Sequence, residues 1–241
     1  MPLQFTTANK HTEAGGVKAV IYGGAGAGKT VLLATAPNPI MLAAEAGMLS
    51  LRKPNLERLF GVGNPGITYD MPTILINQVG DLSDALEFLL HNPHARDFKT
   101  VGMDSLSEIA EVVLNNAKRQ VKDPRQAYGE LIEKMESLIR EYIKLQNRHV
   151  IMIAKMEPSK DELTGVVKYG PSMPGTKLGN KLPYMFDEVF RLGIGQTPQG
   201  EKYRFLQTQP DMQFEAKDRS GALAALEPPN LAHIFNKISG V

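Results

Sequence analysis

Residues 23–30 read GGAGAGKT and combine glycines, a lysine and a threonine in a spacing that suits phosphate chemistry. Small residues let backbone N–H groups close around phosphate oxygens, while the lysine reaches the β- and γ-phosphates and the threonine hydroxyl ligates Mg²⁺. The pattern G-x-x-x-x-G-K-[ST] is met at Gly23, Gly28, Lys29 and Thr30. The predicted nucleotide-binding residues are Gly23, Gly24, Ala25, Gly26, Ala27, Gly28, Lys29 and Thr30.

The segments on either side of this loop have the patterns of a strand and a helix. VKAVIY precedes it as a short apolar run, and TVLLATA follows it as a helical pattern that ends before Pro37. A glycine-rich turn with a chance lysine would not require this strand–loop–helix order. The sequence therefore predicts a P-loop NTPase that binds ATP and Mg²⁺.

Such a site also needs an acidic residue at the end of a buried strand. FKTVGMD supplies it in Asp104, which follows the apolar Val101 and Met103. We expect Asp104 to hold Mg²⁺ through its water shell, with Thr30 as the other metal-ligating residue. A second interpretation, compatible with the first, is a helix N-cap, because an amphipathic pattern begins at Leu106.

Many P-loop ATPases place a water-activating glutamate directly after this acid, but here the next residue is Ser105. The segment IMLAAEAG offers Glu45 instead, at the end of the second apolar strand. A carboxylate at the carboxyl edge of a sheet can face the γ-phosphate and orient water as a general base. Glu45 is therefore the predicted catalytic base. The other interpretation is an exposed glutamate at the start of a helix, where the helix dipole favours it.

Together the P-loop, Glu45 and Asp104 resemble the RecA/RadA/DnaB/KaiC superfamily of ATPases. In that superfamily the catalytic glutamate follows the second strand, and a late Lys-x-Arg finger reaches into the neighbouring subunit. The resemblance places Lys217 and Arg219, in the stretch KDRSG, at the finger positions. A guanidinium beside the γ-phosphate neutralises charge that develops in the transition state. A charged turn before the last helix is the alternative interpretation.

A closer resemblance extends over nearly the whole chain. It is carried by VKAVIYGGAGAGKT, MDSLSEIAEVVL, KDPRQAYGELIEKM, YGPSMPGTKLGNKLPYMFDEVFRL and LQTQPDMQFEAKDRSGAL, which are similar to a phage-encoded group of short RecA-like ATPases. This resemblance implies single-strand annealing and homologous recombination by a homo-oligomer, either a ring or a filament. It also implies single-stranded DNA and a single-strand DNA-binding protein as partners.

Residues 1–15 are expected to form a tail, and residues 16–241 a RecA-like ATPase core. In the tail, Phe5 and Ala8 fit the F-x-x-A tether of RadA-type recombinases, in which a short strand joins a neighbour's sheet edge. A disordered tail is the other interpretation.

Two segments correspond by their order to the DNA-facing loops of RecA-like proteins. The first is AKRQVKDPRQ, and the second is the long connection after Lys155, where glycines and prolines predict a mobile loop. Cations there would follow a phosphate backbone and a tyrosine would stack on bases. Exposed loops often carry lysines for solubility alone, and nearby carboxylates dilute the charge. The predicted DNA contacts are Lys118, Arg119, Lys122, Arg125, Lys160, Lys168, Tyr169, Lys177 and Lys181.

Lys155 itself departs from the RecA-like pattern, which often has a glutamine or histidine that senses the γ-phosphate at the end of this strand. Two interpretations are open: a point charge for phosphate, or a surface pair with a carboxylate.

Strand patterns alternate with helical patterns and end in a predicted hairpin, DEVFRLGIG with KYRFLQTQ. This order predicts an α/β fold, a RecA-like P-loop NTPase core whose mostly parallel central sheet is flanked by helices and carries an antiparallel hairpin extension.

Composition narrows the function classes. The chain has no cysteine, which excludes disulfides, zinc–thiolate sites and thiol catalysis. Its net charge of +1 places any nucleic-acid binding in local basic patches. No apolar run suits a membrane span or a signal peptide, so we expect a cytoplasmic protein, of an infected bacterium if phage-encoded.

These observations predict a Mg-ATP-dependent ATPase that binds single-stranded DNA. Alternatives are a nucleotide-gated DNA-binding assembly module with little turnover, and a RecA-fold helicase-like ATPase. A P-loop kinase would need an acceptor pocket and an arginine-rich lid, and neither is evident.

Overall fold

The computed structural model describes Thr7 and residues 15–45, 47–160 and 165–240. The strands in this part of the chain are β1 (Lys18–Gly23), β2 (Pro39–Ala43), β3 (Thr73–Leu75), β4 (Thr100–Asp104), β5 (His149–Lys160), β6 (Val167–Ser172), β7 (Glu188–Gln196), β8 (Lys202–Gln207), β9 (Lys217–Asp218) and β10 (Leu226–Glu227). They form one sheet in the order β10-β8-β7-β1-β5-β4-β2-β3, with β6 paired to β5 and β9 paired to β7.

The centre of this sheet is parallel. Strand β1 pairs in parallel with β5 and β7, β4 with β5 and β2, and β2 with β3. Strands β6 and β8 add antiparallel partners to β5 and β7. The central strands are buried on both faces, which explains their continuous apolar sequences. The predicted α/β fold, with its mostly parallel sheet and antiparallel extension, is confirmed.

Helices cover both faces of the sheet. They are α1 (Lys29–Leu32), α2 (Lys53–Phe60), α3 (Val79–His91), α4 (Leu106–Gln120), α5 (Pro124–Ile143), α6 (Thr176–Met185) and α7 (Leu231–Ser239), with short 3₁₀ helices at Leu33–Thr35, Met48–Leu51 and Pro93–Ala95. Helices α3 to α6 pack with one face of β1, through Val20 and Tyr22. Helices α1 and α7 pack with the other face, through Ala19 and Ile21. Within the described residues, no helix is both long and apolar enough to span a membrane.

The structure corrects the second predicted DNA loop. Strand β5 continues beyond the sheet to Lys160 and pairs with β6 in an antiparallel hairpin, from Lys155 opposite Ser172 to Lys160 opposite Val167. Helix α6 then follows. The predicted mobile loop is therefore largely a β-hairpin and a helix, and only residues 161–164 lie outside the description.

The N-cap interpretation of Asp104 is also wrong. Ser105 is the N-cap of α4, because its side chain accepts a hydrogen bond from the Glu108 N–H. Asp104 is instead the last residue of β4, which leaves its carboxylate for another role.

Candidate functional site

Neighbouring parallel strands end at one edge of the sheet and bring several of the predicted residues together. In their register, Gly23 of β1 lies opposite Lys155 of β5, and Ala43 of β2 lies opposite Asp104 of β4. The Ala44 N–H donates a 2.9 Å hydrogen bond to the Asp104 carbonyl oxygen, so the β2–β4 pairing continues one residue further. Glu45 therefore leaves β2 beside Asp104, at the carboxyl edge where open α/β sheets bind ligands.

Glycine is required both at the end of β1 and in the loop that follows it. Gly28 has φ 101°, in the left-handed region that side chains rarely adopt. At Gly23 a Cβ atom would lie only 2.5 Å from the carbonyl oxygen of Leu192 on β7. The glycines are thus required by turn geometry and by the close approach of β7.

Lys29 begins α1 and turns back over the loop. Its ammonium donates hydrogen bonds to the carbonyl oxygens of Gly23 (2.8 Å) and Gly24 (3.0 Å). Burial lowers the pKa of Lys29, and the carboxylates of Asp104 and Glu45 oppose that shift. The lysine therefore sits between the mouth of the loop and both predicted acids.

The Thr30 hydroxyl lies close enough to the Asp104 carboxyl to influence its pKa. Asp104 is only 6% exposed, and burial raises the pKa of its carboxyl, while the nearby Thr30 hydroxyl acts in the opposite direction. Mg²⁺ commonly takes one or two protein oxygens and completes its shell with water and nucleotide phosphate. The described residues contain no cluster of three acidic or histidine side chains that would form an all-protein metal cage. The Thr30–Asp104 pair thus fits a metal that arrives with a nucleotide.

Glu45 is held by a residue that sequence reasoning did not select. The Ser105 hydroxyl donates a 2.7 Å hydrogen bond to Glu45 Oε1. Since Ser105 also caps α4, the glutamate is fixed relative to Asp104 and to the start of that helix. The spacing Ser105–x–x–Glu108, a capping-box pattern, could have identified Ser105 as a cap, although it would not have revealed the contact with Glu45.

Lys155 pairs with a carboxylate, which favours the second of its two interpretations. Its ammonium contacts Glu108, and this carboxylate raises the pKa of Lys155. The backbone N–H of Lys155 donates a hydrogen bond to the Ser107 hydroxyl (3.0 Å), and this hydroxyl donates to the Ser172 carbonyl oxygen (2.7 Å). Helix α4 is therefore bonded to both strands at the root of the β5–β6 hairpin.

The two predicted finger residues have different environments. The half-buried Lys217 donates to the carbonyl oxygens of Pro183 and Phe186, at the end of α6. Arg219 is exposed and donates to Asp187 (2.7 Å). Among the described residues, neither cation has a hydrogen bond or ion pair with the loop at 23–30 of its own chain.

Part of the predicted DNA surface converges on an aromatic residue that sequence reasoning missed. Tyr128 of α5 is 39% exposed, and the Lys118 ammonium at the end of α4 lies 5.8 Å from its ring centroid. A Cβ atom placed on Gly175, just before α6, would lie 3.4 Å from the same ring. The first predicted segment and the start of α6 are therefore neighbours. The exposed cations near these helix ends are Lys118, Arg119, Lys122, Arg125 and Lys177.

Of the remaining predicted DNA contacts, Tyr169 and Lys181 have partners within the chain, whereas Lys160 and Lys168 are exposed. The Tyr169 ring packs on Phe214, with centroids 5.5 Å apart, so it is not an open stacking platform. Lys181 pairs with Glu136. Lys160 and Lys168 lie on the exposed end of the β5–β6 hairpin. Phe5 and Ala8, the predicted tether, lie outside the described residues.

The model of one protein family, AAA_24, described as an AAA domain, matches residues 15–220. No curated protein matches the chain. Among solved structures, the chain is similar to the RadB recombinase, with 16% identity and a TM-score of 0.45 over 89% of this chain and 91% of that one. It is also similar to the flagellar accessory protein FlaH from Methanocaldococcus jannaschii, with 13% identity and a TM-score of 0.40 over 80% and 78% of the chains. A KaiC-like protein from Pyrococcus horikoshii OT3 gives 13% identity and a TM-score of 0.41 over 85% and 84%.

Proposed function

The chain belongs to the AAA_24 family of AAA domains, and we propose that it hydrolyses Mg-ATP and couples this reaction to single-stranded DNA within a homo-oligomer. The observation that carries the ATPase proposal is the convergence of Lys29, Thr30, Asp104 and Glu45 at one sheet edge. A lysine, a hydroxyl and two carboxylates in this arrangement match the needs of phosphoryl transfer to water.

Each side chain has a distinct role in the proposed reaction. Lys29 binds the β- and γ-phosphates and neutralises charge on them as the transition state forms. Thr30 and Asp104 would hold Mg²⁺, which would supply charge stabilisation when bound. Glu45 accepts a proton from the water whose oxygen forms the new bond to the γ-phosphorus as the β–γ bridging bond breaks. The hydrogen bond from Ser105 holds Glu45 in position.

The ATPase proposal is tested by Glu45→Gln, which keeps the size of the side chain and its bond to Ser105 but removes the base. We expect ATP binding within about twofold of wild type and a loss of turnover of about 100-fold or more. Turnover of wild type and variant is measured with and without a single-stranded oligonucleotide. Lys29→Ala is the matched variant that should lose binding as well. Wild-type turnover retained in Glu45→Gln would contradict the assignment of the base.

The finger proposal assigns the inter-subunit contact first to Arg219. It is the exposed cation of the pair, and its partner Asp187 is also exposed, so an incoming γ-phosphate can replace that surface carboxylate at little cost. Lys217 would join it only by leaving the carbonyls of Pro183 and Phe186. In the bonded arrangement Lys217 fixes the position of the turn that carries Arg219.

The single-stranded DNA proposal rests on the resemblance to phage RecA-like ATPases and on the surface around Tyr128. The Lys118 ammonium lies 5.8 Å from the centroid of this exposed ring, and further exposed cations lie near the ends of α4, α5 and α6. Such a combination suits single-stranded nucleic acid, because lysines and arginines follow the phosphates while an aromatic ring stacks on bases of any sequence. We extend the proposal to annealing and recombination for a phage, beside a single-strand DNA-binding protein.

A further inference from the structure

The β7–β8 hairpin lies beside the phosphate loop and lines one side of the site. No sequence motif identifies this side. Register places Tyr22 of β1 opposite Arg191 of β7, so residues 193–196 extend beyond the end of β1. Residues 202–205 of β8 pair with them. This part of the β7–β8 hairpin therefore rises next to the loop at residues 23–30.

The two faces of this hairpin differ. On one face the rings of Tyr203 and Phe205 lie across Gly195 and Gly193, where a Cβ would come within 2.6 Å and 2.5 Å of the ring atoms. Side chains alternate along a strand, so Arg204 and its partner Ile194 lie on the other face. Further along this second face, Leu192 and Leu206 belong to the core cluster that includes Leu32 of α1. The Arg204 face is thus the one on the side of the phosphate loop and α1.

Arg204 is in contact with the loop. Its Nε donates a 2.7 Å hydrogen bond to the Ala27 carbonyl oxygen, and the same nitrogen lies 3.3 Å from an ideal Cβ on Gly28. Within the described residues no hydrogen bond or ion pair involves its two terminal nitrogens. The side chain is exposed. The guanidinium is therefore held at one nitrogen and keeps two NH₂ groups available for an anion.

We propose that Arg204 is a nucleotide-binding residue of its own chain, which binds the phosphate chain of ATP from the side of the β7–β8 hairpin. Lys29 and Arg204 then supply two cations in the same subunit, in addition to any from a neighbour. Ile194, paired with Arg204 and 49% exposed, offers an apolar contact for the sugar or base of the same ligand. This inference rests on the proposed nucleotide site and adds a contact that neither the P-loop pattern nor the resemblance assigns.

A purely structural role for Arg204 would be to support the loop through the Ala27 carbonyl. The two roles differ in what lysine can replace. Lysine can donate a hydrogen bond to that carbonyl through its single nitrogen. It lacks the separate pair of NH₂ groups with which the guanidinium can bind phosphate at the same time. Arg204→Lys should therefore restore a supporting role and should not restore a phosphate contact.

The test measures the affinities of wild type, Arg204→Gln and Arg204→Lys for fluorescent ATP and ADP analogues with Mg²⁺. We expect Arg204→Gln and Arg204→Lys both to bind about 10- to 100-fold more weakly, the usual effect of losing a charge-assisted contact. Arg140→Gln is the control, because it removes an exposed arginine from α5, on the opposite side of the sheet. It should bind as wild type does.

Each other result counts against the inference. Wild-type affinity in Arg204→Gln would overturn it while leaving the P-loop site intact. Full recovery of affinity in Arg204→Lys would assign Arg204 to loop support alone. A wild-type protein that bound neither nucleotide would overturn both this inference and the proposed ATPase, and Lys29→Ala measured in parallel defines that level of no binding.

Discussion

At the scale of single residues, the ionisation of the Glu188 carboxyl opposes the fold. It lies on β7 with 2% exposure, and within the described residues its Oε2 has no hydrogen-bond partner. Burial, and next the charge of Asp218, raise the pKa of Glu188 to about 8 from 4.5. The native state therefore prefers the protonated acid, and its contribution to stability is fully present below pH 4.5 and is lost as the pH rises through 8.

Glu188→Gln should remove this dependence, because glutamine is a neutral mimic of the protonated acid. We expect nearly equal free energies of unfolding near pH 4 and a variant more stable by up to about 5 kcal/mol near pH 9, the equivalent of the pKa change from 4.5 to about 8. Urea unfolding at both pH values measures the difference. Glu201→Gln, in the exposed turn after β7, is the control, and its free energy of unfolding should change between the two pH values as that of wild type does. A Glu188→Gln variant that is equally stabilised at both pH values would show that ionisation is not the cause.

Residues of the site differ in how far the sequence alone could place them. Lys29, Asp104 and Glu45 each lie at the end of a short apolar strand or after it, and parallel strands end at the same edge, so their proximity follows from local patterns. The bond from Ser105 to Glu45 and that from Arg204 to Ala27 join positions 60 and 177 residues apart. No local pattern carries such information, because it depends on the register and order of the strands.

At the scale of elements, the surface around Tyr128 depends on three helix ends meeting. Changing Lys118 and Lys177 to Gln together should weaken binding of a labelled single-stranded oligonucleotide and reduce its salt dependence, because two phosphate contacts are lost. Tyr128→Ala should weaken binding by about tenfold, in line with the loss of one stacked base, and should leave the salt dependence nearly unchanged. Fluorescence anisotropy at two salt concentrations separates these effects.

The control for this surface is Lys53→Gln on α2, an exposed lysine paired only loosely with Glu57 at 3.9 Å. It should bind the oligonucleotide as wild type does. Equal losses in Lys53→Gln and in the Lys118/Lys177 variant would indicate general charge attraction. Unchanged binding by Tyr128→Ala would remove the stacking role.

Elements were predictable where their side-chain pattern was regular, and not where their partners are distant. The amphipathic pattern that begins at Leu106 corresponds to α4 in the structure. In place of the β5–β6 hairpin the sequence predicts a mobile loop, because glycines and prolines such as Pro158 and Pro171 are typical of loops. Its strands are instead bonded at the root by Ser107 of α4, a tertiary contact that the local sequence does not encode.

At the scale of the whole molecule, the described chain holds its proposed base and its proposed arginine finger in separate places. Glu45 lies with Asp104 at the phosphate loop, whereas Arg219 pairs with Asp187 near the end of α6. Active sites shared between head-to-tail neighbours would use Glu45 from one subunit and Arg219 from the next. Hydrolysis would then depend on assembly.

Mixing inactive variants tests this arrangement. Arg219→Ala and Glu45→Ala are each expected to be nearly inactive alone. Mixed in equal amounts before assembly, they should recover about a quarter of wild-type turnover, because a quarter of random head-to-tail interfaces combine an intact Glu45 with an intact Arg219. Lys29→Ala mixed with Glu45→Ala is the matched control and should recover nothing, since both changes affect the same side of the interface. Recovery in both mixtures would point to contamination by wild-type protein, and recovery in neither would place Arg219 outside the neighbour's site.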